Sequence, residues 1–229
     1  MTTVSTARSA QQSAPPPVPT AEQSRLVFVL SGPTAVGKGT VVNQIRTAHP
    51  DVFVSVSATT RPPRPGEVDG VHYLFVDEST FDRMVARSEL LEWAVVHGVH
   101  RYGTPRQPVL DAVRAGRPVL LELDLQGARQ IRASWPDATF VFLTPPDWDE
   151  LVRRLTIRGT EDSVQRERRL QTARDELASL GEFDHVVVNR DVGQAAQDLV
   201  GLLSLHAADR RDGQLPDPTN PEPRPLNEG

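Results

Sequence analysis

The residue types best suited to chemistry are concentrated in residues 31–40, which read SGPTAVGKGT directly after a short apolar run. Gly32 and Gly37 allow positive backbone dihedral angles, so the N–H groups of the loop can point inward to an anion. Lys38 and the N-terminus of a following helix add positive potential. A loop of this kind between a strand and a helix holds the phosphates of a nucleotide. The alternative is a glycine-rich turn that carries a lysine by chance.

A second anion site is indicated by Arg61 and Arg64, which lie three residues apart in a proline-rich loop. Planar guanidinium groups grip phosphate oxygens in pairs, so this loop suits the phosphate of an acceptor molecule. Tyr73 and Tyr102, the only tyrosines of the chain, offer hydroxyl donors to the same group. The alternatives are a solvated basic loop and two partly buried tyrosines of a sheet.

Glu92 is an anomaly, because it interrupts the apolar strand pattern LLEWAVV. A carboxylate in such a place is costly unless a partner pairs with it. Guanine presents N1–H and N2–H donors, so a carboxylate with nearby hydroxyls such as Ser57 and Thr104 complements it, whereas adenine does not. Polar mismatch of this kind discriminates by roughly ten-thousandfold. The alternative is an exposed position on a half-buried strand.

Two acids follow the apolar run VLLELDL at its end. Side chains two residues apart in a strand share one face, so Glu122 and Asp124 are predicted to point to the same side. An acid at this place in a nucleotide-binding fold faces magnesium or a bound substrate. For Asp124 the alternative is an N-cap of the next helix.

Three arginines near the C-terminal third are predicted to form part of a lid. Arg154 and Arg158 lie four residues apart on one helix face, and Arg169 follows on the next helix. A pair of helices rich in arginine can close over transferring phosphates. The alternative is an ordinary solvated helix surface.

The hydrophobic pattern supplies a scaffold that brings these groups together. Apolar runs separated by helical spacing predict parallel strands at residues 26–30, 53–56, 118–125, 139–143 and 184–189. This alternation predicts an α/β fold with a doubly wound parallel sheet, which binds ligands at the carboxyl ends of its strands. Short strands between residues 57 and 105 predict a small antiparallel inset, and helices near residues 147–157 and 161–180 predict the lid.

Composition narrows the classes of partner. A net charge of −5 and a pI near 5.7 argue against nucleic acids and anionic membranes, whose binding needs a basic surface. The chain has no cysteine, which excludes disulfides and thiolate zinc sites and suits the cytoplasm. Apolar runs are shorter than the ~18 residues of a membrane span. Residues 1–24 and 208–229 are rich in proline and polar residues and are predicted to be disordered tails.

Six sequence blocks together resemble the guanylate kinase family, which are nucleoside monophosphate kinases with the P-loop NTPase fold. In chain order these blocks are SGPTAVGKGT, SATTRPPRPGEVDGVHYLF, LLEWAVVHGVHRYGTP, VLLELDLQGARQI, RLTIRGTE and VVVN. The resemblance implies transfer of a phosphoryl group from ATP to GMP or dGMP, giving ADP and GDP. It also implies one domain at residues 25–207, with a GMP-binding inset at about 57–105 and a mobile lid at about 147–170.

The resemblance further implies roles for individual residues. The implied ATP site is Gly32, Pro33, Thr34, Ala35, Val36, Gly37, Lys38, Gly39, Thr40 and Asn189, the last beside adenine. The implied GMP site is Ser57, Arg61, Arg64, Tyr73, Glu92, Tyr102, Thr104 and Glu122. The implied catalytic cations are Lys38, Arg154, Arg158 and Arg169. Thr40 and Asp124 are expected near Mg²⁺, directly or through water.

Gly39 departs from the family pattern, which has a hydroxyl residue directly after the lysine. Thr40 or water is then expected to take the place of that hydroxyl near magnesium. Two other functions stay open at this point. One is a kinase for another small phosphorylated acceptor, and the other is a non-catalytic scaffold that binds a partner peptide. No obligate protein partner is expected for the enzyme.

Overall fold

The computed structural model describes residues 20–96, 98–157 and 163–212. In chain order the elements are α1 (Ala21–Ser24), β1 (Val27–Ser31), α2 (Lys38–Ala48), β2 (Phe53–Val54), β3 (Ala58–Thr59), β4 (Leu74–Phe75), α3 (Glu78–Ala86), β5 (Leu90–Val96), β6 (His100–Pro105), α4 (Arg106–Arg114), β7 (Val119–Glu122), α5 (Leu125–Ser134), β8 (Thr139–Thr144), α6 (Trp148–Ile157), α7 (Ser163–Ala178), a 3-10 turn (Ser179–Glu182), β9 (His185–Val188) and α8 (Val192–Asp212).

The core is a five-stranded sheet in the order β2-β7-β1-β8-β9, and every neighbouring pair is parallel. All five residues of the central strand β1 are buried, because helices cover both faces. Phe28 and Leu30 pack with α2 and α8 on one face. Val27 and Val29 pack with α4 and α5 on the other. The predicted α/β class with a doubly wound parallel sheet is therefore confirmed.

The inset is a second sheet of four short strands in the order β4-β3-β6-β5. The β3–β6 and β5–β6 pairs are antiparallel, as predicted, and the β3–β4 pair is parallel. Phe81 of α3 is fully buried against Ala58 and Leu90, so the helix and this sheet share a small core of their own. The strand β6 was not singled out in the sequence, because His100–Pro105 has no apolar alternation.

The helices α6 and α7 form the predicted lid region, where Leu151, Leu155 and Ala173 pack together. Arg158 lies outside the described residues. Both predicted tails also lie largely outside them. At their inner borders the structure differs from prediction: α1 forms at Ala21–Ser24 through a capping box of Thr20 and Gln23, and α8 continues to Asp212. Among the described helices, none is both long and apolar enough to cross a bilayer.

Candidate active site

The loop between β1 and α2 owes its shape to glycines that no other residue could replace. Gly32 has φ 149°, and a Cβ there would lie 2.1 Å from the carbonyl oxygen of Leu143. Gly37 has φ 98°, and a Cβ there would lie 2.7 Å from Nδ2 of Asn189. Ala35 also has a positive φ, of 66°. The backbone therefore curls around a concave space at the carboxyl end of β1.

Lys38 is the first residue of α2 and its ammonium lies over this loop. Nζ donates to the carbonyl oxygens of Gly32 at 2.6 Å and Pro33 at 3.3 Å. Gly37 supplies no side-chain cap to the first amides of α2. A positive side chain and an uncapped helix N-terminus thus lie together, which is the arrangement that binds phosphate.

Two residues distant in sequence donate hydrogen bonds to a backbone carbonyl of the loop. Asn189 Nδ2 donates to the carbonyl oxygen of Val36 at 2.8 Å, and Arg154 Nη1 donates to the same oxygen at 3.0 Å. Arg154 Nη2 also donates to the carbonyl oxygen of Asn189 at 3.2 Å. Asn189 is only 2% exposed, so in this structure it lies beneath the loop and supports it. Arg154 brings a positive charge from α6 to the same place.

One cleft of about 350 Å³ joins the loop to the inset sheet. From the loop it is lined by Thr34 and Lys38. From the inset and the core strands it is lined by Ser57, Tyr73, Glu92, Tyr102, Glu122 and Asp124. Residues predicted to bind two different anions therefore face one shared space.

Arg61 and Arg64 do not line this cleft themselves, but Arg61 contacts the two tyrosines that do, and its donors are held by the protein. Nε donates to Tyr102 Oη at 3.0 Å, and Nη2 forms an ion pair with Glu67 at 2.8 Å. The guanidinium also lies over the Tyr73 ring, 5.4 Å from its centroid. Arg61 is thus buried among the two tyrosines predicted to act with it. Arg64 is exposed, and its backbone N–H donates to Glu67 Oε2 at 2.6 Å.

Burial raises the pKa of Tyr73 to about 12, and the nearby Glu122 charge acts in the same direction. The phenol therefore keeps its proton at neutral pH and remains a hydrogen-bond donor. Its ring meets the Tyr102 ring edge-on, with centroids 5.7 Å apart. The Tyr102 hydroxyl accepts a hydrogen bond from Arg61 Nε and the Tyr73 ring faces the same guanidinium, so the pair forms one wall beside Arg61.

Glu92 is buried, at 5% exposure, which overturns the alternative of an exposed position on a half-buried strand. Thr104 Oγ1 donates to Glu92 Oε1 at 2.7 Å. Thr104 itself is fully buried, so the structure places it behind Glu92 as an orienting donor. Burial raises the pKa of Glu92 to about 7, opposed by the Thr104 hydrogen bond and assisted by the Asp124 charge.

The two acids at the end of β7 lie at different places in the cleft. Glu122 lies beside the phosphate loop, since a Cβ built on Gly39 would be 3.7 Å from its Oε1. Asp124 caps α5, where its Oδ1 accepts a hydrogen bond from the N–H of Gly127 at 2.7 Å, and it raises the pKa of Glu92. Glu122 therefore lies near both the phosphate loop and Tyr73, and Asp124 lies near both Glu92 and Glu176.

The helix α7 reaches the loop through a residue that sequence reasoning missed. Glu176 Oε2 accepts a hydrogen bond from the backbone N–H of Thr34 at 2.8 Å. Thr172 and Glu176 both line the cleft. Arg169 precedes them by three and seven residues, which puts it on the same face of α7. The predicted lid arginine is thus on the side of the helix that faces the cleft.

Arg46 is a second cleft residue that no local sequence pattern marks. It comes from the last turn of α2, where it reads as an ordinary basic residue near a helix C-terminus. In the structure it lines the cleft, and its charge lowers the pKa of Glu122 against the raising effect of burial. Thr40, in the first turn of α2, is exposed.

Comparisons with known proteins agree on one family. The guanylate kinase family model matches residues 24–205. A guanylate kinase of Leifsonia xyli subsp. xyli is 61% identical over 182 residues, which cover 80% of this chain and 72% of that protein. A guanylate kinase of Thermobifida fusca is 58% identical over 183 residues, covering 80% of this chain and 93% of that protein.

A solved structure agrees with these sequence matches. The crystal structure of guanylate kinase from Anaplasma phagocytophilum is similar with a TM-score of 0.65 and 32% identity. The match covers 78% of this chain and 84% of that one. The phosphate loop, the inset and the cleft between them lie within the matched residues 24–205. The chain belongs to the guanylate kinase family of nucleoside monophosphate kinases.

Proposed function

We propose that the chain transfers the γ-phosphoryl group of ATP to GMP, giving ADP and GDP, with dGMP as a second acceptor. The observation that carries this proposal is the single cleft lined by both Lys38 and Glu92. A phosphate cradle lies at one side of that cleft and a buried carboxylate suited to guanine at the other. Two anionic substrates bound there would meet end to end.

On the donor side, the loop amides and Lys38 are proposed to bind the phosphates of ATP. Lys38 Nζ already lies at the mouth of the loop on two carbonyl oxygens, from which it exchanges to phosphate oxygens. The whole stretch from Gly32 through Pro33, Thr34, Ala35, Val36, Gly37, Gly39 and Thr40 is proposed to wrap the phosphates. Asn189 holds the loop from beneath, by its bond to Val36.

On the acceptor side, Arg61, Arg64, Tyr73 and Tyr102 are proposed to hold the phosphate of GMP. The Arg61–Glu67 ion pair would give way to this more highly charged anion. Glu92 is proposed to accept the N1–H and N2–H of guanine, with Ser57 beside it in the cleft. Thr104 keeps the Glu92 carboxylate in place.

For the transfer itself we propose no covalent intermediate, because the cleft supplies cations around the phosphates. Lys38, Arg154 and Arg169 are proposed to stabilise charge on the transferred group. Arg158, outside the described residues, is proposed to join them. Closure of α6 and α7 would exclude water, which otherwise competes with GMP as the acceptor.

The residues at the loop fit a magnesium ion. Mg²⁺ in nucleotide sites takes one or two protein oxygens and completes its shell with phosphate oxygens and water. The Thr40 hydroxyl and the Asp124 carboxylate are proposed to hold it, directly or through water, and the Glu122 carboxylate beside Gly39 is proposed to face GMP in the same cleft. When bound, Mg²⁺ neutralises charge on the phosphate oxygens. No group of three acids or histidines that could hold a metal by itself occurs among the described residues.

The proposed substrates also bear on location and partners. ATP and GMP are small nucleotides of the cell interior, so we propose a cytoplasmic enzyme. Both substrate sites are proposed from residues of one chain, and on this proposal the reaction needs no second protein, nucleic acid or membrane.

Use of GMP is expected to depend on pH through Glu92. Guanine binding needs the ionised carboxylate, and burial raises its pKa to about 7. As pH falls below this value, kcat/KM for GMP should fall by about tenfold per unit, while KM for ATP changes little. Above pH 7 to 8 the profile should level off. Initial rates from pH 5.5 to 9 would measure it, and a flat profile for kcat/KM of GMP would contradict the role of Glu92.

The test of the proposed function is a coupled assay of ADP release with the purified full chain. Candidate acceptors are GMP, dGMP, AMP, CMP, UMP and a sugar phosphate. The proposal expects rapid turnover with GMP, slower or equal turnover with dGMP, and rates with the others lower by roughly 10³-fold or more. Preference for a sugar phosphate would favour the alternative of a kinase for another small phosphorylated acceptor. No turnover with any acceptor would favour the alternative of a non-catalytic scaffold that binds a partner peptide.

A further inference from the structure

The first turn of α5 contains a glycine that its own backbone does not require. Gly127 lies inside α5, and it is not among the residues with positive φ. Glycine is less favourable than alanine at such a helical position, because it loses more conformational freedom on folding. The reason for glycine must therefore lie in what surrounds the missing side chain.

The surroundings are the carboxylate of Glu92. A Cβ built on Gly127 would lie 2.6 Å from Glu92 Oε2 and 3.2 Å from Glu92 Cδ. Asp124 Oδ1 would also be close, at 3.3 Å. Real Cβ atoms essentially never approach another heavy atom as closely as 2.6 Å, so the carboxylate would have to move.

Glu92 has little room to move without losing its position. Its Oε1 is held by Thr104 at 2.7 Å, and the side chain is only 5% exposed. Asp124 is also close, with its Oδ1 3.3 Å from the same built Cβ, so a shift of the Glu92 carboxylate towards it brings two acids closer together. The remaining movement of the Glu92 carboxylate is outward into the cleft. This movement breaks the hydrogen bond from Thr104 and brings the carboxylate into the space assigned to the base.

We propose that Gly127 is a positioning residue for acceptor selection: the absence of a side chain there leaves room for the Glu92 carboxylate in the orientation that reads guanine. This inference rests on the proposed function, in which Glu92 reads the acceptor base. It adds that base selection depends on a residue that does not itself bear a functional group. Gly127 is a position where helix stability is given up for the geometry of the site.

The test is Gly127→Ala in the full chain, with Gly201→Ala as the matched control. Gly201 lies in α8 and no atom lies within 4 Å of a Cβ built on it. For Gly127→Ala we expect KM for GMP to rise by about tenfold or more and the GMP-to-AMP ratio of kcat/KM to fall. KM for ATP and kcat at saturating GMP should stay within about threefold of wild type. Gly201→Ala should leave all these values unchanged.

A structural role alone predicts a different pattern. If Gly127 served only to fold α5, its replacement by alanine would change the melting temperature and leave KM for GMP and the base preference unaltered. That result would overturn the proposal. The shorter Glu92→Asp, added to Gly127→Ala, makes room for the new methyl group and should recover part of the base preference. Failure of this double variant to improve on Gly127→Ala would also count against it.

A double-mutant cycle of melting temperatures keeps the test decisive if Gly127→Ala folds poorly. In a Glu92→Ala background the new Cβ no longer meets the Glu92 carboxylate and keeps only the longer 3.3 Å contact with Asp124 Oδ1, so Gly127→Ala should not lower the melting temperature and should raise it by about 1–3 °C. A loss of stability in that background would overturn the proposed contact. This cycle needs no substrate, so it separates failure of the Gly127 inference from failure of the proposed function, which would appear as wild-type enzyme without GMP preference.

Discussion

Lys38→Ala should lower turnover at saturating ATP and GMP by about a hundredfold or more. The lysine is the only one in the chain, and its Nζ lies over the phosphate loop on the carbonyl oxygens of Gly32 and Pro33. A cation at this place stabilises charge that develops as the phosphoryl group leaves ATP. Arg154 reaches the same loop from α6 through Val36 and Asn189, so it adds charge at a different place and does not take the position of Lys38 Nζ. We therefore expect no other cation to substitute for Lys38.

The measurement is steady-state turnover by the coupled assay, together with the melting temperature. Arg114→Ala is a matched loss of one positive charge, since Arg114 is exposed on α4 and pairs with Asp111. This control should keep near-normal turnover. Both variants should melt close to the wild-type temperature. If Lys38→Ala retained near-normal turnover, the assigned role of the phosphate loop would be refuted.

Glu92→Gln should collapse the preference for GMP over AMP, which the buried carboxylate is expected to set at roughly ten-thousandfold. The carboxylate only accepts hydrogen bonds, whereas the amide both donates and accepts. The introduced amide therefore loses one of the two hydrogen bonds that Glu92 accepts from the N1–H and N2–H of guanine. It gains one hydrogen bond by donating to N1 of adenine. The ratio of kcat/KM for GMP and AMP should move towards unity by at least a hundredfold, mainly through GMP.

Stability provides an independent check on the same variant. The folded-state pKa of Glu92, about 7, lies above its ordinary value of 4.5, so ionising this buried group costs stability above pH 7. This cost in folding free energy disappears as pH falls from about 7 to 4.5. Glu92→Gln should therefore melt no lower than wild type at pH 8. The matched control is Glu89→Gln, because Glu89 is exposed just before β5. An unchanged GMP-to-AMP ratio in Glu92→Gln would show that guanine is read elsewhere.

Local patterns were enough to predict the core sheet and to mark the phosphate loop and Glu92 as candidate sites. Glycine positions with a following lysine predict a phosphate loop, because few backbones need φ values such as 149° and 98° so close together. Continuous apolar runs predict strands buried on both faces, as β1 is. Glu92 was detectable because a carboxylate in an apolar strand demands an explanation.

Contacts that depend on the packing of distant elements were not predictable in this way. Glu176 reaches Thr34 across 142 positions of the chain, and nothing near it in the sequence marks it. Asn189 supports the loop from the end of β9. Gly127 reads as an ordinary helix residue until Glu92 is placed beside it. Each of these roles is set by where the helices pack on the sheet.

The two acids at the end of β7 show that a local sequence pattern also does not predict which neighbours a residue contacts. Strand alternation predicts that Glu122 and Asp124 share a face, which does not say which neighbour each one meets. The chain leaves the strand after Glu122, and Asp124 turns to cap α5. Glu122 therefore stays at the phosphate loop while Asp124 meets Glu92.

Direct transfer requires that the donor and acceptor sites face each other in one cleft. The most direct measurement is inhibition by a bisubstrate compound in which adenosine and guanosine are joined through five phosphates. The account predicts inhibition that is competitive with both ATP and GMP, with one molecule bound per chain. Competition with only one of the two substrates, or binding of two molecules per chain, would contradict it.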